Sequence, residues 1–163
     1  MNKLRYWIIT LILNVWCFSA TGPCFDDYFL DQTMRLDFYF TGTKTQNIFS
    51  LDAVYISPLW SGSQTNLIDT LNLGHHLIRV YDADSQTLIY SRGFSSIFNE
   101  WQSTNEAIQE IWRTFHFSVL IPLPRQAITV TLSSRDRQNQ FIEYFKTNIE
   151  PDSRFINRDG VHT

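Results

Sequence analysis

The chain has 163 residues, of which 44% are hydrophobic, 15% aromatic and 18% charged, and its formal net charge is −3. This composition supplies the core of one domain and excludes a chain that is mostly disordered. Setting aside Lys3 and Arg5 leaves 11 basic against 16 acidic residues, a net charge of about −5, which disfavours nucleic acid and anionic lipid as partners.

The N-terminus has the pattern of an export signal. Lys3 and Arg5 precede an apolar run over residues 6–20, and small residues follow at once. Because fifteen residues are short for a membrane span, we expect a signal peptide over residues 1–22. The alternative is that this segment is not cleaved and serves as a membrane anchor. The mature protein is then expected to be secreted, periplasmic or at the cell surface, with no membrane span after signal removal.

The two cysteines do not predict a disulfide. Cys17 lies within the apolar run and Cys24 lies just beyond it, so the mature chain keeps one thiol. Residues 21–23 lack the Leu-small-small pattern that precedes a lipidated cysteine. Lipidation at Cys24 is therefore open but not favoured.

Alternation of apolar and polar residues with a period of two dominates residues 25–150 and is typical of half-buried strands. Residues 34–40 show it most clearly, with Met, Leu, Phe and Phe on one face. Six further strands are predicted at residues 48–56, 76–81, 87–90, 113–121, 127–132 and 141–145. Turn residues and prolines separate them, and residues 82–86 predict a hairpin loop.

One short helix is predicted between the strands at residues 87–90 and 113–121. Residues 103–106 offer an N-cap, and Ala107, Ile108, Ile111 and Trp112 then recur at helical spacing. Seven strands with one short helix predict an all-β fold, a two-sheet antiparallel β-sandwich over residues 25–150. The polar, aperiodic residues 151–163 are predicted to be a linker or tail.

The residues that carry hydrolytic chemistry are poorly represented. A helical zinc-peptidase motif needs two histidines one turn apart with a glutamate between them, and the four histidines are not spaced in this way: His75, His76, His116 and His162. Adjacent histidines on a strand point to opposite faces. A pocket joining one of them to His116 and to Asp82 or Asp84 is the alternative, but surface or rim histidines are commoner.

Nucleophile motifs are missing as well. Residues 93–97 lack the second glycine of a nucleophile elbow, and Cys24 lies in an N-terminal segment poorly suited to an oriented Cys-His pair. The sequence therefore predicts no catalytic, cofactor-binding or metal-binding residues, no cofactor, and no enzymatic activity of this chain by itself.

Two groups of residues leave a binding role open. Asp26, Asp27 and Asp31, or Asp82 with Asp84, are oxygen ligands of the type that calcium prefers, although acids in hairpin tips usually form turns. Five aromatic residues are candidates for a sugar- or peptide-stacking platform, although large aromatics more often fill a core: Trp60, Tyr81, Tyr90, Trp101 and Trp112.

Several strings resemble the N-terminal domain of Bacteroidota M64 (IgA-type) metallopeptidases. The most specific is Tyr-Ser-Arg-Gly-Phe-Ser-Ser-Ile-Phe at residues 90–98, followed by Glu100-Trp101. The others lie at residues 25–29, 33–42, 61–74, 80–83, 113–116 and 135–137. The resemblance extends over about residues 25–160.

The resemblance implies a signal peptide, this β-sandwich and then a zinc catalytic domain with a His-Glu-x-x-His motif. No catalytic or zinc residue of the family has a matching position in this chain. The leading hypothesis is thus a non-catalytic accessory domain that binds or positions a protein or glycoprotein substrate, or a separate catalytic domain. The alternatives are a stand-alone carbohydrate- or protein-binding sandwich and a truncated peptidase fragment without independent function.

Overall fold

A computed structural model of the chain describes residues 22–158. The predicted signal peptide therefore lies outside the described residues except for Gly22, and so does the end of the predicted tail. In the described part, residues 25–149 hold all the strands and helices.

Seven strands form two antiparallel sheets in the described chain. They are β1 (Phe29–Gly42), β2 (Asn47–Pro58), β3 (His76–Asp82), β4 (Leu88–Phe94), β5 (Arg113–Pro124), β6 (Ile128–Arg135) and β7 (Phe141–Ile149). One sheet has the order β2-β1-β5 and the other β4-β3-β6-β7. The predicted all-β, two-sheet antiparallel sandwich is confirmed.

The core lies between the two sheets because alternate residues of the strands face it. On β1 the side chains of Met34, Leu36, Phe38 and Phe40 are almost completely buried, as the period-two pattern predicts. The residues between them point to the outer face of the sheet, and all but one of these are at least partly exposed. Asp37 is buried on the outer face, where Ser118 and Arg35 donate hydrogen bonds to its carboxylate at 2.6 and 3.0 Å.

Three short helices replace the one that was predicted: α1 (Phe25–Tyr28), α2 (Ile97–Trp101) and α3 (Asn105–Ile108). Thr104 caps α3 as expected, since its hydroxyl accepts a hydrogen bond from the Ala107 amide. The helix ends at Ile108, earlier than its spacing predicts. Glu110 has a left-handed φ of 57°, and Trp112 remains 49% exposed, so further turns would have no core to cover.

The segment after β7 packs against the sandwich. Ile156 is buried, and Asn157 forms a parallel bridge to Tyr55 on β2. The Asn157 amide donates to the Val54 carbonyl at 2.8 Å, and the Ile56 amide donates to the Asn157 carbonyl at 2.9 Å. Ile156 and Asn157, which lie in the predicted linker or tail over residues 151–163, therefore contact β2.

Candidate binding site

A cavity of about 600 Å³ lies between the edge strand β4 and the loop over residues 59–75, which joins β2 to β3. This volume is within the range of small-ligand sites. The side chains that define its chemistry are those of Trp60, Asn66, Asp69, Leu71, Tyr90 and Arg92. We call it the β4 cavity.

The first part of the loop is fixed by its own hydrogen bonds. The Trp60 indole N–H donates to the Ser63 carbonyl at 3.1 Å, and the Asn66 amide donates to the Ser63 hydroxyl at 2.8 Å. Gly62 lies against the six-membered ring of Trp60, and an added Cβ there would come within 2.2 Å of that ring. Glycine is therefore required for this close approach.

Asp69 fixes the second part of the loop. One carboxylate oxygen accepts the amides of Leu71 and Asn72 at 2.9 and 3.0 Å, and the other accepts the amide of Gly93 on β4 at 2.7 Å. Burial by itself would raise the pKa of Asp69. The hydrogen bonds from these N–H groups and the charge of Arg92 outweigh burial and hold this pKa below its ordinary value. Asp69 is thus an ionised structural anchor.

The loop also covers the backbone edge of β4. The Ser91 amide donates to the Leu67 carbonyl at 2.9 Å, and the Asp69 amide donates to the Ser91 hydroxyl at 2.9 Å. Together with the bond from Gly93 to Asp69, these contacts satisfy edge groups that would otherwise be open to another strand. The wall of the cavity is therefore a rigid, hydrogen-bonded surface.

Tyr90 and Arg92 project from β4 into this region. They pair with Val80 and Ile78 of β3, both fully buried, so they are on the core-facing side of the sheet. Tyr90 is 5% exposed, and burial raises the pKa of its hydroxyl, although the nearby charge of Arg92 acts in the other direction. The Tyr90 phenol therefore remains neutral, and Arg92 remains exposed.

Trp60, Tyr90 and Trp101, three of the aromatic residues considered for a stacking platform, do not form one. Trp60 is 9% exposed and contacts Tyr90 edge to face, with ring centroids 6.1 Å apart. Trp101 is partly buried between Phe98 and Phe115, and its indole N–H donates to Glu106. These side chains belong to the core and its rim.

The histidines are distributed over separate parts of the sandwich. His76 is only 2% exposed, whereas a surface or rim position was expected for it. His75 lies just before β3, and the centroid of its ring is 5.1 Å from that of His76. His116 lies on the outer face of the other sheet, 3.9 Å from Asp37 and 3.8 Å from Asp52. The alternative pocket that joins His75 or His76 to His116 is therefore not formed.

His76 instead belongs to a buried hydrogen-bond network. Its Nε2 donates to the Asn99 side-chain carbonyl at 2.6 Å, and the Ser134 hydroxyl donates to its Nδ1 at 2.5 Å. Burial lowers the pKa of His76 from the ordinary value of 6.5 to about 4. The imidazole is consequently neutral in the folded protein at neutral pH.

The candidate calcium acids form turns or lie exposed. The Asp82 carboxylate accepts hydrogen bonds from the Ser85 amide and hydroxyl at 2.7 and 2.6 Å, which is the geometry of a turn former. Asp26 and Asp27 are exposed, as is the thiol-bearing Cys24. Within residues 22–158, no group of three histidine, cysteine or acidic side chains is placed to hold a metal ion.

Fold and site together define an all-β sandwich domain with a cavity beside its edge strand β4. The chain belongs to the peptidase M64 N-terminus family, whose model matches residues 24–146. This match confirms the resemblance to the N-terminal domain of M64 peptidases. No curated protein matches the chain. Among the described helices, none has the length and apolar character of a membrane span.

Proposed function

We propose that the chain is a non-catalytic accessory domain of a secreted, IgA-type M64 zinc peptidase from Bacteroidota, and that it helps to bind a polypeptide substrate or to position the catalytic domain. The observation that carries this proposal is the family match over residues 24–146. The basic and apolar N-terminus supports export to the periplasm, the cell surface or the medium.

The side chains support a binding role over a catalytic one. The sequence contains no His-Glu-x-x-His motif, which a helical zinc peptidase needs to hold the metal and activate water. Meanwhile the β4 cavity has rigid walls, an exposed guanidinium and apolar groups, which is the mixture found in binding pockets. Binding by this domain would raise the local concentration of substrate near a catalytic domain.

The carbohydrate-binding alternative has less support. Sugar rings are bound on exposed aromatic faces, whereas Trp60 is buried and Trp101 is partly buried. Trp112, which is 49% exposed, lies outside the β4 cavity.

A cleavage and binding assay tests the proposal. The purified chain is incubated with immunoglobulin A and other glycoproteins, with and without added zinc, and the products are followed by gel electrophoresis while binding is measured by interferometry. We expect binding to at least one polypeptide and no cleavage. Zinc-dependent hydrolysis by this chain alone would overturn the proposal, and an absence of binding to every polypeptide tested would overturn its substrate-binding part.

A further inference from the structure

We infer that the β4 cavity binds a carboxylate group of a polypeptide, with the Arg92 guanidinium as its anchor. The carboxylate would be the free C-terminus of a peptide chain. This inference rests on the proposed function, since it takes the ligand to be a polypeptide, and it adds the chemical group that the domain recognises.

The edge of β4 does not need Arg92 for its protection. A charged side chain on the core-facing side of an edge strand often serves to prevent pairing with another strand. Here the loop already covers that edge, because Leu67 and Asp69 accept the hydrogen bonds of the Ser91 and Gly93 amides. The role of edge protection is therefore filled without Arg92.

Arg92 also has no ionic partner of its own. Among the described residues, no carboxylate lies within 4.0 Å of its guanidinium. Asp69 is the nearby acid, but both of its oxygens are occupied by backbone N–H groups of the loop and β4. Tyr90, two residues earlier on β4, lines the cavity together with Arg92.

A guanidinium in this setting matches a carboxylate. Its planar fork of N–H donors binds the two carboxylate oxygens side by side, and such charge-assisted bonds are stronger than neutral ones. Leu71, which is 73% exposed, and the partly buried Ile68 line the same cavity and can cover the apolar part of an amino-acid residue. Asn66 adds an amide that can pair with a peptide backbone.

The aromatic side chains favour a polypeptide over an acidic sugar. A sugar ring needs a free aromatic face, but Gly62 lies on the six-membered ring of Trp60, and only 5% of Tyr90 is exposed. The apolar surface that remains in the cavity is aliphatic. Aliphatic surface suits the side chain of an amino-acid residue better than the polar ring of a sugar.

The test is a titration of the purified chain followed by ¹H–¹⁵N NMR, with the Trp60 indole and the amides of residues 66–71 as reporters. Three probes are compared: acetyl-Ala-Leu with a free C-terminal carboxylate, its C-terminal amide, and the methyl glycoside of glucuronic acid. The variants are Arg92→Gln and Arg92→Lys. Arg137→Gln, an equal change of charge at an exposed turn position, is the matched control.

We expect the free acid to shift the reporter signals saturably, with an affinity at least about tenfold higher than that of the amide, since a hydrogen bond to a charged group is lost with the carboxylate. Arg92→Gln should remove this difference. Arg92→Lys should retain part of it, because lysine keeps the charge but loses the fork. Arg137→Gln should bind like the wild type.

Other results would overturn the inference. These are equal binding of acid and amide, a titration with no shift at the cavity, and binding of the glucuronide in place of the peptide. If Arg92→Gln does not fold, the acid-to-amide comparison on the wild-type chain still decides. Unchanged binding of immunoglobulin A by folded Arg92→Gln would overturn the inference while leaving the proposed function standing.

Discussion

The His76 network predicts a specific loss of stability in acid. Unfolded, this histidine takes up a proton near pH 6.5, whereas in the folded protein its pKa is lowered to about 4 by burial. The unfolded state therefore binds more protons between these two pH values, and the free energy of unfolding falls as the pH is lowered through this window. The stability due to the neutral imidazole is present above about pH 6.5 and is lost towards pH 4.

The magnitude follows from the size of the pKa shift. At about 1.4 kcal/mol for each pH unit, lowering the pKa of one group from 6.5 to about 4 corresponds to about 3 kcal/mol. This is a large fraction of the stability of a small domain. The structural reason is burial, since only 2% of His76 is exposed and a protonated imidazole would lose its hydration there.

The assay is urea unfolding of the wild type and of His76→Gln from pH 7.5 to pH 4. Glutamine still offers one donor and one acceptor to Asn99 and Ser134, so the variant should fold but lose most of this additional acid sensitivity. An identical pH dependence in His76→Gln and the wild type would show that His76 is not the source of the acid sensitivity.

Three further substitutions test the packing of the tail and the loop. Ile156→Ala should lower the free energy of unfolding by about 2–4 kcal/mol in urea titrations, against a small change for the exposed Ile142→Ala. Gly93→Ala places a Cβ 1.9 Å from the Leu73 carbonyl, so calorimetry should show a loss of about 1–3 kcal/mol. Asp69→Ala leaves three loop and edge N–H groups without acceptors, so hydrogen exchange of these amides should accelerate at least tenfold. Wild-type behaviour of any of these variants would contradict the packing described for it.

The fold was predictable wherever the local pattern and the tertiary environment agree. Strand β1 is the clearest case, since the alternation over residues 34–40 matches its buried face. The helix was less predictable because Ile111 and Trp112 have helical spacing but no core to pack against, and both are exposed. Helical spacing of apolar residues stabilises a helix only where a partner surface exists.

The site was not predictable because its residues meet through long-range contacts. The alternation predicted a strand only over residues 87–90, so Arg92 was not recognised as part of β4. The hydrogen bond from the Gly93 amide to Asp69 joins residues 24 positions apart, and the hydrogen bond between His76 and Ser134 joins residues 58 positions apart. No local pattern marks such pairs, although the family-like strings at residues 61–74 and 90–98 do enclose the cavity.

We propose that this domain binds polypeptide without cleaving it, and native mass spectrometry of the purified chain mixed with immunoglobulin A and zinc is the direct test. We expect a complex that dissociates into two components of unchanged mass. Fragments of the immunoglobulin would contradict it, and so would the absence of any complex.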